Sequence, residues 1–214
     1  TQRSLAYASE LNHINAVTGA HWLSGLLHYE WNDHSTATAH FSEVVKWQHT
    51  AQFATTSTCM LGLARVFQAR GELEKAQEMI DSLRAETLRL DNIGLLPPVD
   101  SIQADQWRKQ GDVARALRWA RSLNPPRLGE PFFWFELPSL TRARIIVAAG
   151  TNQEVRSVQR ALQDKLTVAR KQHRVQRVIP ILAHLALVHD RLGDMEHGLA
   201  ALRVALSLAE PGGF

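Results

Sequence analysis

The sequence predicts an all-α fold, a superhelical stack of about five helix-turn-helix hairpins, and three observations predict it. Apolar residues recur at helical spacing along most of the chain and never in a sustained alternating run between hairpin turns, so β and α/β folds lack support. A residue suited to ending a helix returns at Asn32, Gly71, Gly111, Gly150 and Gly193, with spacings of 39, 40, 39 and 43 residues. Small and large side chains keep fixed places relative to each of these turns, which marks a repeat with a period of about 40 residues.

Taken in order, residues 2–15 read as the second helix of a preceding repeat or as a cap, which sets residues 1–17 apart from a repeat domain over 18–214. The first hairpin carries Gly25, His28, Asn32, Ala37 and Val44. The second, LARVFQARGELEKAQEMIDSL, shows the pattern most clearly in Ala64, Phe67, Gly71, Ala76 and Leu83. The third carries Ala104, Trp107, Gly111, Ala116 and Leu123, the fourth Ala143, Ile146, Gly150, Val155 and Leu162, and the fifth Ala186, His189, Gly193, Gly198 and Ala205. In each, a small residue lets two helices approach, a bulky one fills the groove between them, and the last closes the apolar stripe. The turn position suits Gly or Asn because a helix stopped by a left-handed residue tolerates little else. Asp33, Glu72, Asp112, Thr151 and Asp194 follow directly and are placed to cap the next helix or face its positive end. Residues 91–98 (DNIGLLPP) and 124–131 (NPPRLGEP) hold five of the eight prolines and read as breaks between hairpins. Ten helices and no strands are expected.

The bounds agree with such a fold. The chain has 214 residues, 45% of them hydrophobic, enough for a core. Lys and Arg number 24 against 21 Asp and Glu, so no overall field calls for a polyanionic partner. The single cysteine, Cys59, has no internal disulfide partner and fits a reducing, cytoplasmic setting. No apolar run is long enough to span a bilayer, and the N-terminal residues lack the order of a signal peptide. The absence of an initial Met and the abrupt ending suggest an excised piece of a longer chain.

Small-x-x-large followed by Gly-acid-x-x-x-small-x-x-x-large resembles the tetratricopeptide repeat, with a longer period and departures such as Val155 and Gln159. LARVFQARGELEKA, LTRARIIVAAG and the closing LSLAEPGGF are more narrowly similar to the helical-repeat region of large ATP-dependent LuxR-type transcription activators of the maltose-regulon-activator kind. The resemblance covers residues 18–214. It implies signal reception: a small inducer or a regulatory protein binds the repeats and biases the nucleotide switch of the intact regulator. It also implies neighbouring nucleotide-binding and DNA-binding domains of the same chain. No Gly-x-x-x-x-Gly-Lys-Ser/Thr is present, so no cofactor is expected here and ATP is expected only in the preceding domain.

In hairpins of this kind the first helix of each pair lines the concave face. The positions ten, six, three and two before the turns give, among others, Trp22, Tyr29, Glu30, Arg65, Gln68, Asp105, Arg108, Lys109 and Arg144 as candidate ligand-binding residues. Trp22 and Tyr29 suit stacking on a ring or sugar, and Arg65, Arg108 and Arg144 suit an anionic or polyhydroxyl group. The competing reading pairs these arginines with Glu30 and Asp105 or leaves them solvated. Changing Arg65 and Arg144 together to alanine is expected to abolish inducer binding with helix content intact. The alternative for the whole domain is a tetratricopeptide-like scaffold that binds a peptide or protein.

Other chemistry finds few carriers. Ten His include no i, i+4 pair, and Glu10 with His13 and Asp194 with His197 are isolated i, i+3 pairs, so no metal site is expected. His28 and His189 hold the packing position. Cys59 lies in STCMLGLA without a nucleophile signature, no Gly-x-Ser-x-Gly elbow exists, and no catalytic residues are assigned; the chain reads as a non-enzyme. The basic run Lys165, Arg170, Lys171, His173, Arg174 and Arg177 reads as a solvated helix end, and no direct DNA or membrane contact is expected. Phe132, Phe133, Trp134 and Phe135, together with Trp31, Trp47 and Trp119, read as packing between repeats.

Overall fold

A computed structural model describes residues 14–123 and 137–212, and every regular element among them is a helix. In order these are α1 (Ile14–Glu30), α2 (His34–Lys46), α3 (Phe53–Ala69), α4 (Leu73–Arg89), α5 (Leu96–Lys109), α6 (Val113–Ser122), α7 (Pro138–Ala149), α8 (Asn152–Lys171), α9 (Val175–Arg191) and α10 (Met195–Ala209), with 3₁₀ turns at Ile93–Leu95 and Glu210–Gly212. This is the all-α hairpin repeat that the sequence predicts. The aromatic run 132–135, the Glu10–His13 pair and the break at 124–131 lie outside the described residues. α1 begins before the boundary expected at Thr18.

The chain divides into two compact units, one holding the residues up to Gln106 and the other beginning at Trp107. In the first, α1 packs on α2 and α3, α2 on α3, and α3 on α4. In the second, α6 and α9 both pack on α7, α8 packs on α7 and α9, and α9 packs on α10.

Four of the five expected turns are left-handed: Asn32 at φ 60°, Gly71 at 76°, Gly111 at 87° and Gly193 at 79°. Each is closed by the next residue's N–H donating to the carbonyl five positions back, Asp33 to His28 at 2.8 Å, and Glu72 to Phe67, Asp112 to Trp107 and Asp194 to His189 at 2.9 Å. Carbonyls that the helix end leaves orphaned are satisfied in this way. Gly150 needs a different explanation. Its φ is not positive, and a Cβ there would stand 2.7 Å from the Ile146 carbonyl oxygen, so the glycine serves close approach and not handedness. The same left-handed closure also joins successive hairpins at Asp91 (φ 51°) and His173 (φ 53°), where Asn92 donates to Thr87 and Arg174 to Ala169 at 3.0 Å.

The acidic residues after the turns act as caps where their side chains are short. Asp33, Asp112 and Asp194 accept from the N–H groups of Thr36, Arg115 and His197. Glu72 makes no cap bond and instead pairs with Arg70 and Lys75, each at 2.6 Å. Thr151 and Glu154 form a reciprocal capping box at α8. The Pro97–Pro98 pair lies in the first turn of α5, so the break ends sooner than the prolines suggest; there the missing N–H groups are not needed.

One consequence is measurable. Hydrogen bonds from the Arg121 side chain (2.8 Å) and the Thr151 N–H (2.8 Å) hold the Glu154 carboxyl down from 4.5 to about 2. A depressed carboxyl adds stability that is complete above 4.5 and is lost as pH falls toward 2. Thermal melts across that window are expected to show a decline that Glu154→Gln reduces; an equal decline in the variant would assign it to other carboxylates.

Packing follows the repeat pattern closely. The small positions after the turns, Ala37, Ala76, Ala116, Val155 and Gly198, are all buried. In the first unit Phe41, Val44, Met60, Leu61, Ile80, Leu83 and Ile102 form the core, and in the second Ile145, Ile146, Val155, Leu162 and Val188 are buried. Cys59 is fully buried, and burial pushes its thiol well up, away from the reactive thiolate. Two tryptophans depart from expectation. Trp31 is 52% and Trp47 44% exposed; they follow directly on the ends of α1 and α2.

Candidate functional site

The predicted groove residues fall on both units and are taken unit by unit. In the first unit Trp22 and Tyr29 stand half-buried on α1 against the hydrophobic core. The Tyr29 ring stacks on His34 at 6.0 Å. Glu30 is exposed as a residue, yet burial of its carboxyl raises its pKa. The second unit holds the half-buried Arg108 and Arg144 and the exposed Lys109.

Arg65, Gln68 and Asp105 are brought together in a buried polar network. Arg65 Nη1 donates to Asp105 Oδ2 at 2.8 Å and to Gln68 Oε1 at 3.1 Å. Gln68 Nε2 donates to the Ile102 carbonyl and to Gln106 Oε1, both at 3.0 Å, and Gln106 Nε2 donates to the Leu73 carbonyl at 2.7 Å. Gln77 and Gln103 extend the chain of bonds from α4 to α5 at 2.8 and 2.9 Å. The side chains of Arg65 and Asp105 are 10% and 1% exposed. They are forty residues apart, at the same place in successive repeats, so the period that predicts a lining also sets two such positions face to face.

Arg65 is therefore bonded to buried groups of the fold as well as standing at a predicted groove position, and its replacement breaks the 2.8 Å contact with the Asp105 carboxylate. Gln68 and Asp105 are enclosed by the chain itself. Their roles join α3, α4 and α5. Of the rest of the predicted set, Glu30 and Lys109 are exposed, and Trp22, Tyr29, Arg108 and Arg144 are half-buried.

Histidines gather where the sequence reading assigned only packing. His28 Nδ1 meets Asp33 Oδ2 at 3.0 Å, and His189 Nδ1 meets Asp194 Oδ2 at 2.9 Å, the same contact in the first and fifth hairpins. His21 and His40 face each other through their Nδ1 atoms at 2.9 Å. Burial lowers the pKa of both, and nearby His21 and His28 lower that of His40 further, so these two resist the mild-acid charging expected of free histidines. The His-x₄-Asp spacing across a turn was the available signal in the sequence. The basic run occupies the end of α8 and the start of α9, with Arg170, Lys171, His173 and Arg174 exposed.

The family model for the MalT-like TPR region matches residues 2–214. No curated protein matches the chain, and no solved structure does.

Proposed function

Since the chain belongs to the MalT-like TPR region family, a helical-repeat domain of MalT-type regulators, we propose that it receives the signal of such a regulator by binding a small inducer. The family match across residues 2–214 carries this reading. Modules of this kind act as scaffolds and not as catalysts. Reception is assigned to the predicted groove residues outside the buried network. Trp22, Tyr29 and Glu30 in the first unit offer aromatic faces beside a carboxyl whose raised pKa favours hydrogen bonding to a neutral polar group. Arg108, Lys109 and Arg144 in the second offer cations for an anionic group. Among the described residues no helix is long and apolar enough to cross a membrane.

The test is a thermal-shift screen against sugars, organic acids, aromatic compounds and phosphorylated metabolites. One class is expected to stabilise the protein by about 2.7 kcal/mol at a hundredfold excess over its dissociation constant. Tyr29→Ala is expected to abolish the shift from an aromatic or sugar class, and Arg144→Ala that from an anionic class, with helix content unchanged. Silence from every class in a cooperatively unfolding protein would remove the small-molecule reading.

A specific observation favours a second reading, a scaffold for a peptide or protein. On α10, Met195, Leu199, Leu202 and Leu206 follow a 4-3-4 spacing along one face and are 40–62% exposed. Leu199, Leu202 and Leu206 line an open apolar surface with Arg203 and Glu210 at its edge. Such a stripe suits an amphipathic helix of a partner.

A further inference from the structure

We propose that His189, Asp194 and His197 form a binding site for a divalent transition-metal ion, zinc by the chemistry of the set. The turn at Gly193 brings the end of α9 against the start of α10, so that one ligating atom from each of the three lies within 4.8 Å of the others. His189 Nδ1 is 2.9 Å from Asp194 Oδ2, and His197 Nδ1 is 2.8 Å from Asp194 Oδ1. The two rings flank the carboxylate, stacked at 5.5 Å with 23° between their planes. Ligand atoms around a tetrahedral zinc stand about 3.3 Å apart, so an ion entering this cluster widens the two imidazole–carboxylate contacts by a few tenths of an ångström and brings the two imidazole nitrogens, within 4.8 Å of each other, to the same spacing.

The first hairpin supplies the internal comparison. Its His28 and Asp33 make the same contact at 3.0 Å, so a His–Asp pair across the turn is part of how these hairpins close. At the position of His197, however, it carries Thr36, whose N–H donates to Asp33. His197 is therefore the addition that converts a pair into a three-ligand set. Its side chain is 70% exposed, which leaves the remaining coordination positions open to water or an external ligand. Two imidazoles and one carboxylate form a borderline nitrogen and oxygen set, suited to zinc and its neighbours and poorly suited to calcium or magnesium.

Charge around the cluster has two sides. The first amides of α10 disfavour a cation, and one of them, the His197 N–H, already donates to Asp194 Oδ1. Asp194 itself and the adjacent Glu196 oppose that effect, since both favour positive charge at His197. Both imidazoles must give up a ring proton position to ligate, so protons compete with the metal and binding weakens as pH falls. Ligation through Nδ1 moves the proton of a neutral imidazole to Nε2 and releases one proton to solvent from an imidazolium, and each ring–carboxylate hydrogen bond gives way to a bond to the metal.

The experiment is calorimetric titration of this chain with zinc chloride at pH 7.5 and at pH 6, with cobalt(II) absorption as a report on geometry. One equivalent is expected to bind at pH 7.5 and more weakly at pH 6. His197→Ala keeps the backbone cap and is expected to lower the affinity about a hundredfold or more, since losing a neighbour of a ligand alone costs 10–100-fold. His40→Ala, which removes the His21–His40 contact, is expected to leave that equivalent in place. Equal affinity in the His197 variant, or no binding to the parent chain, would overturn the site.

Discussion

Replacing Arg65 by alanine is expected to destabilise the first unit by about 1.5–3 kcal/mol, because it removes a charge-assisted hydrogen bond to the buried Asp105 carboxylate. The change also takes a donor from Gln68, whose own amide spans α3 and α5. Denaturant unfolding read through tryptophan fluorescence would measure this, since Trp22, Trp31 and Trp47 all lie in that unit. Asp105→Asn is expected to lose less, as it keeps a hydrogen-bonding oxygen toward Arg65. The pair Arg65→Met with Asp105→Leu is expected to recover most of the loss, because removing both charges removes the desolvation cost along with the attraction. A loss below about 1 kcal/mol for Arg65→Ala would place the pair in the class of solvated surface bridges.

Introducing leucine at Gly25 is expected to prevent α1 and α2 from docking. Even a Cβ there would lie 2.4 and 2.5 Å from two ring carbons of Phe41, and Phe41 is fully buried with no room to withdraw. Gly25→Ala is expected to cost about 1–3 kcal/mol through overpacking. Phe41→Ala is expected to cost about 3–5 kcal/mol by the opposite route, a cavity. Combining Gly25→Ala with Phe41→Leu should therefore cost less than the two separate losses added together. Strict additivity in that cycle would show that the two positions do not share one space.

Both predictions turn on features that the sequence makes visible to different degrees. Gly25 is legible as a small residue seven positions before the turn. Phe41 is legible too, as the large residue nine positions after the turn, but that these two positions meet is not. Gly71, Gly111 and Gly193 are legible as left-handed turns, whereas Asp91 and His173 adopt the same conformation without a glycine to announce it. Gly150 looks like a member of the series and is one for a different reason, the proximity of the Ile146 carbonyl. Of the candidate site, Arg65 and Asp105 were weighed both as groove residues and as an ion pair, and only their burial separates the two uses.

The sequence by itself determined the helices, their five turns and the positions that must be small or large. Those properties depend on local backbone preference and on a spacing of 3.6 residues per turn, which a linear string records. Tertiary structure decided which side chains meet across that framework. It set Arg65 against Asp105 in the next repeat, His189 against Asp194 and His197 across a turn, and Phe41 under Gly25. Burial of a polar group depends on what packs over it from a distant part of the chain, so no local pattern can separate an open groove from a closed network.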